Sequence, residues 1–230
     1  KPCWYHKVGT ACAINDALIV YSLTYRLLAA EFAGPTFEKL SRLFFDTSMQ
    51  TCIGQLMDTT SEGKLEHTTP ERYDAICRYK TTYYTIYTPL AVGIILSLLP
   101  EGEERRLLEN AKQVSVHVGQ VFQEQDDYLD VFGDPTVMGK QGTDIVDGKV
   151  TWMAAYALAH TDAALVHEFQ SLYGTEGGVG RVGEILSGMG IHSEYERRQR
   201  EASHNAMELV DPRLRSATNA ILAELMHRKA

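Results

Sequence analysis

From Leu107 to Asp130 the chain reads LLENAKQVSVHVGQVFQEQDDYLD, and this stretch decides the fold. Leu107, Ala111, Val114, Val118, Val121 and Phe122 recur three and four residues apart, which makes them one apolar stripe of an α-helix. Val116, Gly119, Gln123, Asp126, Asp127 and Asp130 run along another line of the same helix. A helix that is apolar on most sides through its middle belongs at the centre of a core. Its acidic end must therefore face something beside that core.

The same period extends in both directions, and no stretch alternates apolar and polar residues as a half-buried strand does. The pattern predicts helices at about Ala11 to Phe32, Phe37 to Asp58, Pro70 to Leu99, Glu103 to Val131, Trp152 to His160, Asp162 to Tyr173, Val179 to Met189, Glu194 to Leu209 and Arg213 to Lys229. Breaks fall at Gly34-Pro35-Thr36, at Thr69-Pro70-Glu71, which reads as an N-cap and an acidic first turn, and at Asp211-Pro212. The fold class is all-α, several long helices enclosing a central cavity. Residues 1–230 are expected to form one domain, since a chain of 230 residues that is 44% hydrophobic can bury one substantial core.

The formal charge of −8 and the scattered basic residues speak against a nucleic-acid or anionic-membrane surface. Cys3, Cys12, Cys52 and Cys77 show no metal-ligand spacing, so reduced, mostly buried thiols in a cytoplasmic compartment are expected. The most apolar run, Leu90 to Leu99, is far shorter than the ~20 residues of a membrane span. Gly178-Val179-Gly180-Arg181-Val182-Gly183 matches a dinucleotide fingerprint in form, but no strand precedes it, and a flexible inter-helix connection is the expectation.

The chemistry concentrates in four places. Asp126 or Asp127 lies one turn before Asp130, so two carboxylates project from one helix face. All-oxygen ligands of this kind suit Mg2+, which takes one or two carboxylates together with phosphate oxygens and water. A solvated acidic helix end is the alternative. The stripe Tyr73, Ile76, Cys77, Lys80, Tyr84 and Tyr87 has a lysine in its middle, so this face must meet anions or water. Thr81 adds a hydroxyl, and Tyr84 adds a ring able to lean on a cation. Gln55 and Asp58 repeat the amide-then-carboxylate arrangement of Gln123 and Asp126. Lys140 and Lys149 lie in the turn-rich loop after the aspartates, where they either neutralise a diphosphate or stay solvated.

Phe122-Gln123-x-Gln125-Asp126-Asp127-Tyr128-Leu129-Asp130-x-Phe132-Gly133-Asp134-Pro135, followed by Gly139-Lys140-x-Gly142-Thr143-Asp144-Ile145, resembles the second aspartate-rich region of farnesyl diphosphate synthases. Pro2-Cys3-Trp4-Tyr5, Ala13-Ile14-Asn15-Asp16-Ala17, Ile53-Gly54-Gln55-x-x-Asp58 and Tyr79-Lys80-Thr81-x-x-Tyr84 are similar to further motifs of that family, in its order. The resemblance implies a homodimer of isoprenoid-synthase helical barrels that joins isopentenyl diphosphate to dimethylallyl or geranyl diphosphate, with Mg2+ as cofactor and bisphosphonates as plausible inhibitors. It implies that Asp126 ligates Mg2+ with support from Asp127 and Asp130, and that Lys80, Lys140 and Lys149 take up diphosphate charge. It further implies that Thr81, Gln123 and Tyr84 face the allylic cation, that Gln55 and Asp58 serve substrate binding, and that Arg228 matches a basic tail residue.

Family members carry a first D-D-x-x-D and an Arg-Arg pair ahead of the segment resembling Pro2-Cys3-Trp4. The chain as given is therefore expected to be inactive alone, and a core without those upstream helices to expose apolar surface and be prone to associate. A non-catalytic or regulatory polypeptide is the second reading, and a class I terpene cyclase the third.

Overall fold

The computed structural model describes residues 2–139, 142–160 and 163–227, and among these there are helices and turns but no strand. The helices are α1 (Tyr5–Val8), α2 (Thr10–Glu31), α3 (Gly34–Thr59), α4 (Pro70–Ile76), α5 (Thr88–Leu96) and α6 (Glu101–Phe132). There follow α7 (Pro135–Met138), α8 (Asp144–Asp147), α9 (Trp152–His160), α10 (Ala163–Leu172), α11 (Val179–Gly188), α12 (Ile191–Leu209) and α13 (Arg215–His227). The Thr69 hydroxyl accepts from the Arg72 amide at 3.2 Å with Pro70 in the first turn, as the sequence suggests for that helix start. Asp211 caps a tighter turn instead, accepting from the Arg213 amide, so α13 begins at Arg215 rather than Arg213.

The central helix is α6. Leu107, Ala111, Val114, Val118 and Val121 are buried along it, packed with Ile86, Leu90, Ala202, Ala206 and Leu222 from flanking helices. At its C-terminal end a second cluster gathers Tyr73, Trp152, Met153, Phe169, Leu186 and Ile191. Leu40 and Leu43 of α3 pack on Ala91 and Ile95 of α5. The core thus encloses α6 most fully through its middle, from Val114 to Val121, while Arg105, Lys112 and Gln113 leave one side of its first half open.

Two expectations change. The glycine run is not a loop throughout, because Gly180 and Gly183 lie inside α11, whose Val182 is fully buried. The cysteines are mostly exposed rather than buried: Cys3, Cys12 and Cys52 are open, and Cys77 alone of the four is enclosed. Burial pushes the Cys77 thiol well up, and the nearby Asp127 and Glu124 carboxylates add to it. Alkylation of the native protein at pH 8 should therefore modify Cys3, Cys12 and Cys52 within minutes and leave Cys77 intact until the protein is unfolded. Modification of Cys77 at a comparable rate, read by peptide mass spectrometry, would contradict this packing.

Helix α2 contributes no buried residue, and Ile14, Leu18, Val20 and Leu27 stand 59–66% exposed. On α3 the apolar Phe45, Met49, Ile53 and Leu56 are open as well. No helix of the described residues is long and apolar enough to cross a membrane.

Candidate active site

The helix expected from Pro70 to Leu99 is not uniform. Between α4 and α5 the backbone widens into a π-helical stretch, Cys77–Tyr87, which carries Lys80, Thr81 and Tyr84. Side chains follow the wider turn: the Thr82 and Thr88 hydroxyls donate to the Cys77 and Tyr83 carbonyls, each five residues back. Extended π-helix is uncommon and concentrates at functional sites, because it releases backbone and side chains from their regular spacing. Two glycines admit it. A Cβ on Gly54 of α3 would overlap the Lys80 backbone nitrogen, and one on Gly119 of α6 would overlap the Thr82 hydroxyl. The stretch is thereby pressed between α3 and α6, and Lys80 and Thr82 fall at the two contacts.

On the α3 side, the Lys80 ammonium donates to Asp58 Oδ2 at 2.5 Å, and Lys149 reaches the same oxygen at 3.2 Å and Glu62 at 2.6 Å. The two ammonium groups share one carboxylate that is 4% exposed, while their own side chains keep 31% and 20% exposure. Burial works against the charge on Lys149, but Glu62 and Asp58 outweigh it and hold the ammonium above its ordinary pKa. The anion that the Lys80 face demands is thus Asp58 itself, which acts as an anchor for lysines. Gln55 does not join it: it is exposed and donates to Thr59 at 3.1 Å.

On the α6 side, the buried Thr81 hydroxyl donates to Gln123 Oε1 at 2.6 Å, and Gln123 Nε2 donates to Asp127 Oδ1 at 2.8 Å. The other Asp127 oxygen faces the Trp152 amide at the start of α9, 3.4 Å away. Asp127 is 4% exposed, and burial pushes its carboxyl well above the usual carboxylate range. The nearby Asp144 charge raises it further, against the opposing hydrogen bonds from Gln123 and Trp152. The structure turns Asp127 inward, away from the half-exposed pair Asp126 and Asp130 on the outer line of α6. Asp130 Oδ2 accepts from the Asp144 amide at 2.8 Å, which ties the following loop back onto α6. A Cβ at Gly142 would collide with the Asp130 carbonyl, so only glycine fits that return.

Tyr84 is 55% exposed beside this arrangement. Lys140 and Arg228 lie outside the described residues. Among the described residues no three His, Cys, Asp or Glu groups close on a common point. Two half-exposed carboxylates with oxygen donors alone do not suit zinc, but they do suit a hard cation that completes its shell with phosphate oxygens and water.

Residues 1–188 match the family described as Polyprenyl synthetase. This chain belongs to the polyprenyl synthetase family. Among curated polyprenyl synthetase relatives, the farnesyl pyrophosphate synthase of Gallus gallus is 35% identical over 217 residues, covering 91% of this chain and 58% of that protein. The farnesyl pyrophosphate synthase of Bos taurus is 35% identical over 219 residues, covering 92% of this chain and 61% of that one. The chain therefore spans about three fifths of the length of these relatives. Among solved structures, T. brucei farnesyl pyrophosphate synthase superposes with a TM-score of 0.84 at 29% identity, over 94% of this chain and 68% of that one. A T. brucei farnesyl diphosphate synthase complexed with a bisphosphonate gives 0.89 at 29% identity, over 100% and 71%. The all-α polyprenyl synthetase fold is thus shown by family and by superposition.

Sequence reasoning missed one charged pair of this chain. Glu124, fully buried on α6, accepts from the Arg198 guanidinium of α12 and from Gln120, and Arg198 lies over the Trp152 ring at 5.2 Å. Glu124 sits inside the Gln123 to Asp130 segment and reads as one more acidic residue. Its partner is 74 positions away, beyond any local spacing rule.

Proposed function

We propose that the protein joins isopentenyl diphosphate to an allylic diphosphate, dimethylallyl or geranyl, to form farnesyl diphosphate with release of pyrophosphate. The observation that carries this reading is the pairing of Lys80 and Lys149 on Asp58, next to the Thr81–Gln123–Asp127 chain and the Asp126 and Asp130 carboxylates. On this reading the cationic and anionic halves of a metal-diphosphate site are carried by adjoining elements, pre-positioned by these hydrogen bonds.

Asp126 and Asp130 are the residues that would hold Mg2+, and the cation supplies charge neutralisation of the allylic diphosphate as it leaves. Lys80 and Lys149 meet the same diphosphate with ammonium groups that remain partly exposed. Asp127 is a positioning residue that fixes the Gln123 amide, and Gln123 in turn fixes the Thr81 hydroxyl. Thr81, Gln123 and the Tyr84 ring supply oxygen dipoles and a π-face for the allylic carbocation that diphosphate departure leaves. The isopentenyl double bond attacks that cation, and loss of a proton completes the new alkene. Residues 1–230 act as one domain on this account, in a cytoplasmic homodimer that uses the apolar face of α2.

The test is conversion of labelled isopentenyl diphosphate and geranyl diphosphate into a fifteen-carbon product by the protein that carries this chain, with Mg2+ present. Lys80→Met is expected to lower kcat at least about 100-fold, the scale on which one charge-stabilising donor acts. Helicity measured by circular dichroism should stay native. Wild-type protein without product, or a Lys80→Met variant with unchanged kcat, would contradict the proposal.

A further inference from the structure

Lys149 reaches two carboxylates, and they are not alike. Asp58 stands in the last turn of α3, is 4% exposed and also takes the Lys80 ammonium, so it is fixed from two sides. Glu62 stands in the turn after α3 with its side chain 36% exposed, and its one hydrogen bond among the described residues is the 2.6 Å contact with Lys149 Nζ. The nearer partner of Lys149 is thus the looser one.

Main-chain contacts bring the two residues together. The Gly63 amide donates to the Gly148 carbonyl at 3.0 Å, and a Cβ on Gly148 would come within 2.9 Å of the Gly63 Cα. Glu62 and Lys149 adjoin these two glycines and are set opposite each other by that junction. The turn is anchored further by the Arg72 guanidinium, which donates to the Ser61 hydroxyl at 3.0 Å, and the Tyr173 hydroxyl donates to the Lys149 carbonyl at 2.7 Å. Rotation of the Glu62 side chain toward water is therefore enough to part it from Lys149, with both backbones left in place.

The charges oppose an incoming anion while Glu62 is paired. Lys80 and Lys149 bring two positive charges, and Asp58 and Glu62 cancel both. A diphosphate approaching Lys149 meets a carboxylate already on that ammonium, and like charges at contact distance repel. Once Glu62 turns out, the cluster regains one net positive charge and Lys149 regains a donor for a charge-assisted bond to a phosphate oxygen.

We infer that Glu62 is a resident anion on Lys149 that an incoming diphosphate displaces, so that it weakens diphosphate binding instead of supporting it. The inference rests on the reading of Lys149 as a diphosphate-binding residue given above. Return of Glu62 to Lys149 then accompanies the departure of pyrophosphate.

The test is calorimetric titration of inorganic pyrophosphate with Mg2+ into the intact chain and its variants. Glu62→Gln removes the charge and keeps the size of the side chain, and binding should tighten about twofold to fivefold, the scale of one partly exposed ion pair. Lys149→Met should weaken binding about tenfold, and adding Glu62→Gln to it should change nothing more, because Glu62 acts through that ammonium. Glu66→Gln, at an exposed carboxylate of the same connection, should leave binding unchanged and so separates the contact from charge removal in general. A Glu62→Gln variant that binds as the wild type or more weakly, or a gain that persists in the Lys149→Met background, would overturn the inference while the loss in Lys149→Met keeps the diphosphate reading. Absence of binding by every variant, or a Lys149→Met variant that binds as the wild type, would overturn that reading and the inference with it.

Discussion

Arg198→Leu is expected to lower the stability of the protein by about 3–5 kcal/mol, the cost of leaving one member of a buried ion pair without the other. Glu124 is 0% exposed, and its Oε1 takes the Arg198 and Gln120 hydrogen bonds while its Oε2 has none among the described residues. Burial already raises its pKa against the lowering pull of Arg198. Without the guanidinium, a carboxylate would remain in a cluster that includes Trp152 and Tyr73, with no water to solvate it. Urea unfolding measures the loss. The double variant Glu124→Leu with Arg198→Leu should recover most of it, since an apolar pair of similar volume avoids the desolvation cost. By contrast Arg197→Ala, at a residue paired with Glu194 and Glu201 on the surface, should change stability by less than about 1 kcal/mol. Equal effects of the Arg197 and Arg198 substitutions would mean that the burial of Glu124 is misassigned.

Gly54→Ala is expected to cost about 3 kcal/mol and to weaken diphosphate binding at the same time. Its Cβ would overlap the Lys80 amide nitrogen, which is backbone and cannot swing aside, so α3 and the π-helical stretch must separate. Lys80 would then move off Asp58. The control is Gly93→Ala in α5, where a Cβ meets nothing within 4 Å and a helix interior prefers alanine by about 0.5–1 kcal/mol. Thermal unfolding should therefore move in opposite directions for the two variants. A Gly54→Ala protein of wild-type stability would show that the close approach of α3 to Lys80 is wrong.

The helical architecture was legible because apolar spacing is a local signal: the expected Ala11 to Phe32 and the observed Thr10–Glu31 differ by one residue at each end. The π-helical stretch was not, since Cys77–Tyr87 keeps an apolar stripe that fits α spacing over so short a length. Its available signal was indirect, a glycine in each of the two flanking helices at Gly54 and Gly119. Residue type and spacing singled out Lys80, Thr81, Gln123, Asp126 and Asp130, and the structure carries them on the π-helical stretch and the adjoining α6. Their connections were not legible, because Asp58 with Lys149 and Thr81 with Gln123 are 91 and 42 positions apart. For the same reason spacing alone left open whether Asp126 or Asp127 belongs with Asp130, and the contacts of Asp127 with Gln123 and Trp152 come from the fold. The cysteine expectation failed because burial preference is an average over proteins, and Cys3, Cys12 and Cys52 sit at or near helices whose outer faces are open.

The most direct test of the proposed site is calorimetric titration of geranyl diphosphate into this chain with and without Mg2+. The account predicts binding that strengthens at least about 100-fold with Mg2+, loses that gain in Asp126→Ala, and falls about tenfold or more in Lys80→Met at fixed Mg2+. Binding of equal strength with and without the cation, or indifferent to both substitutions, would contradict it.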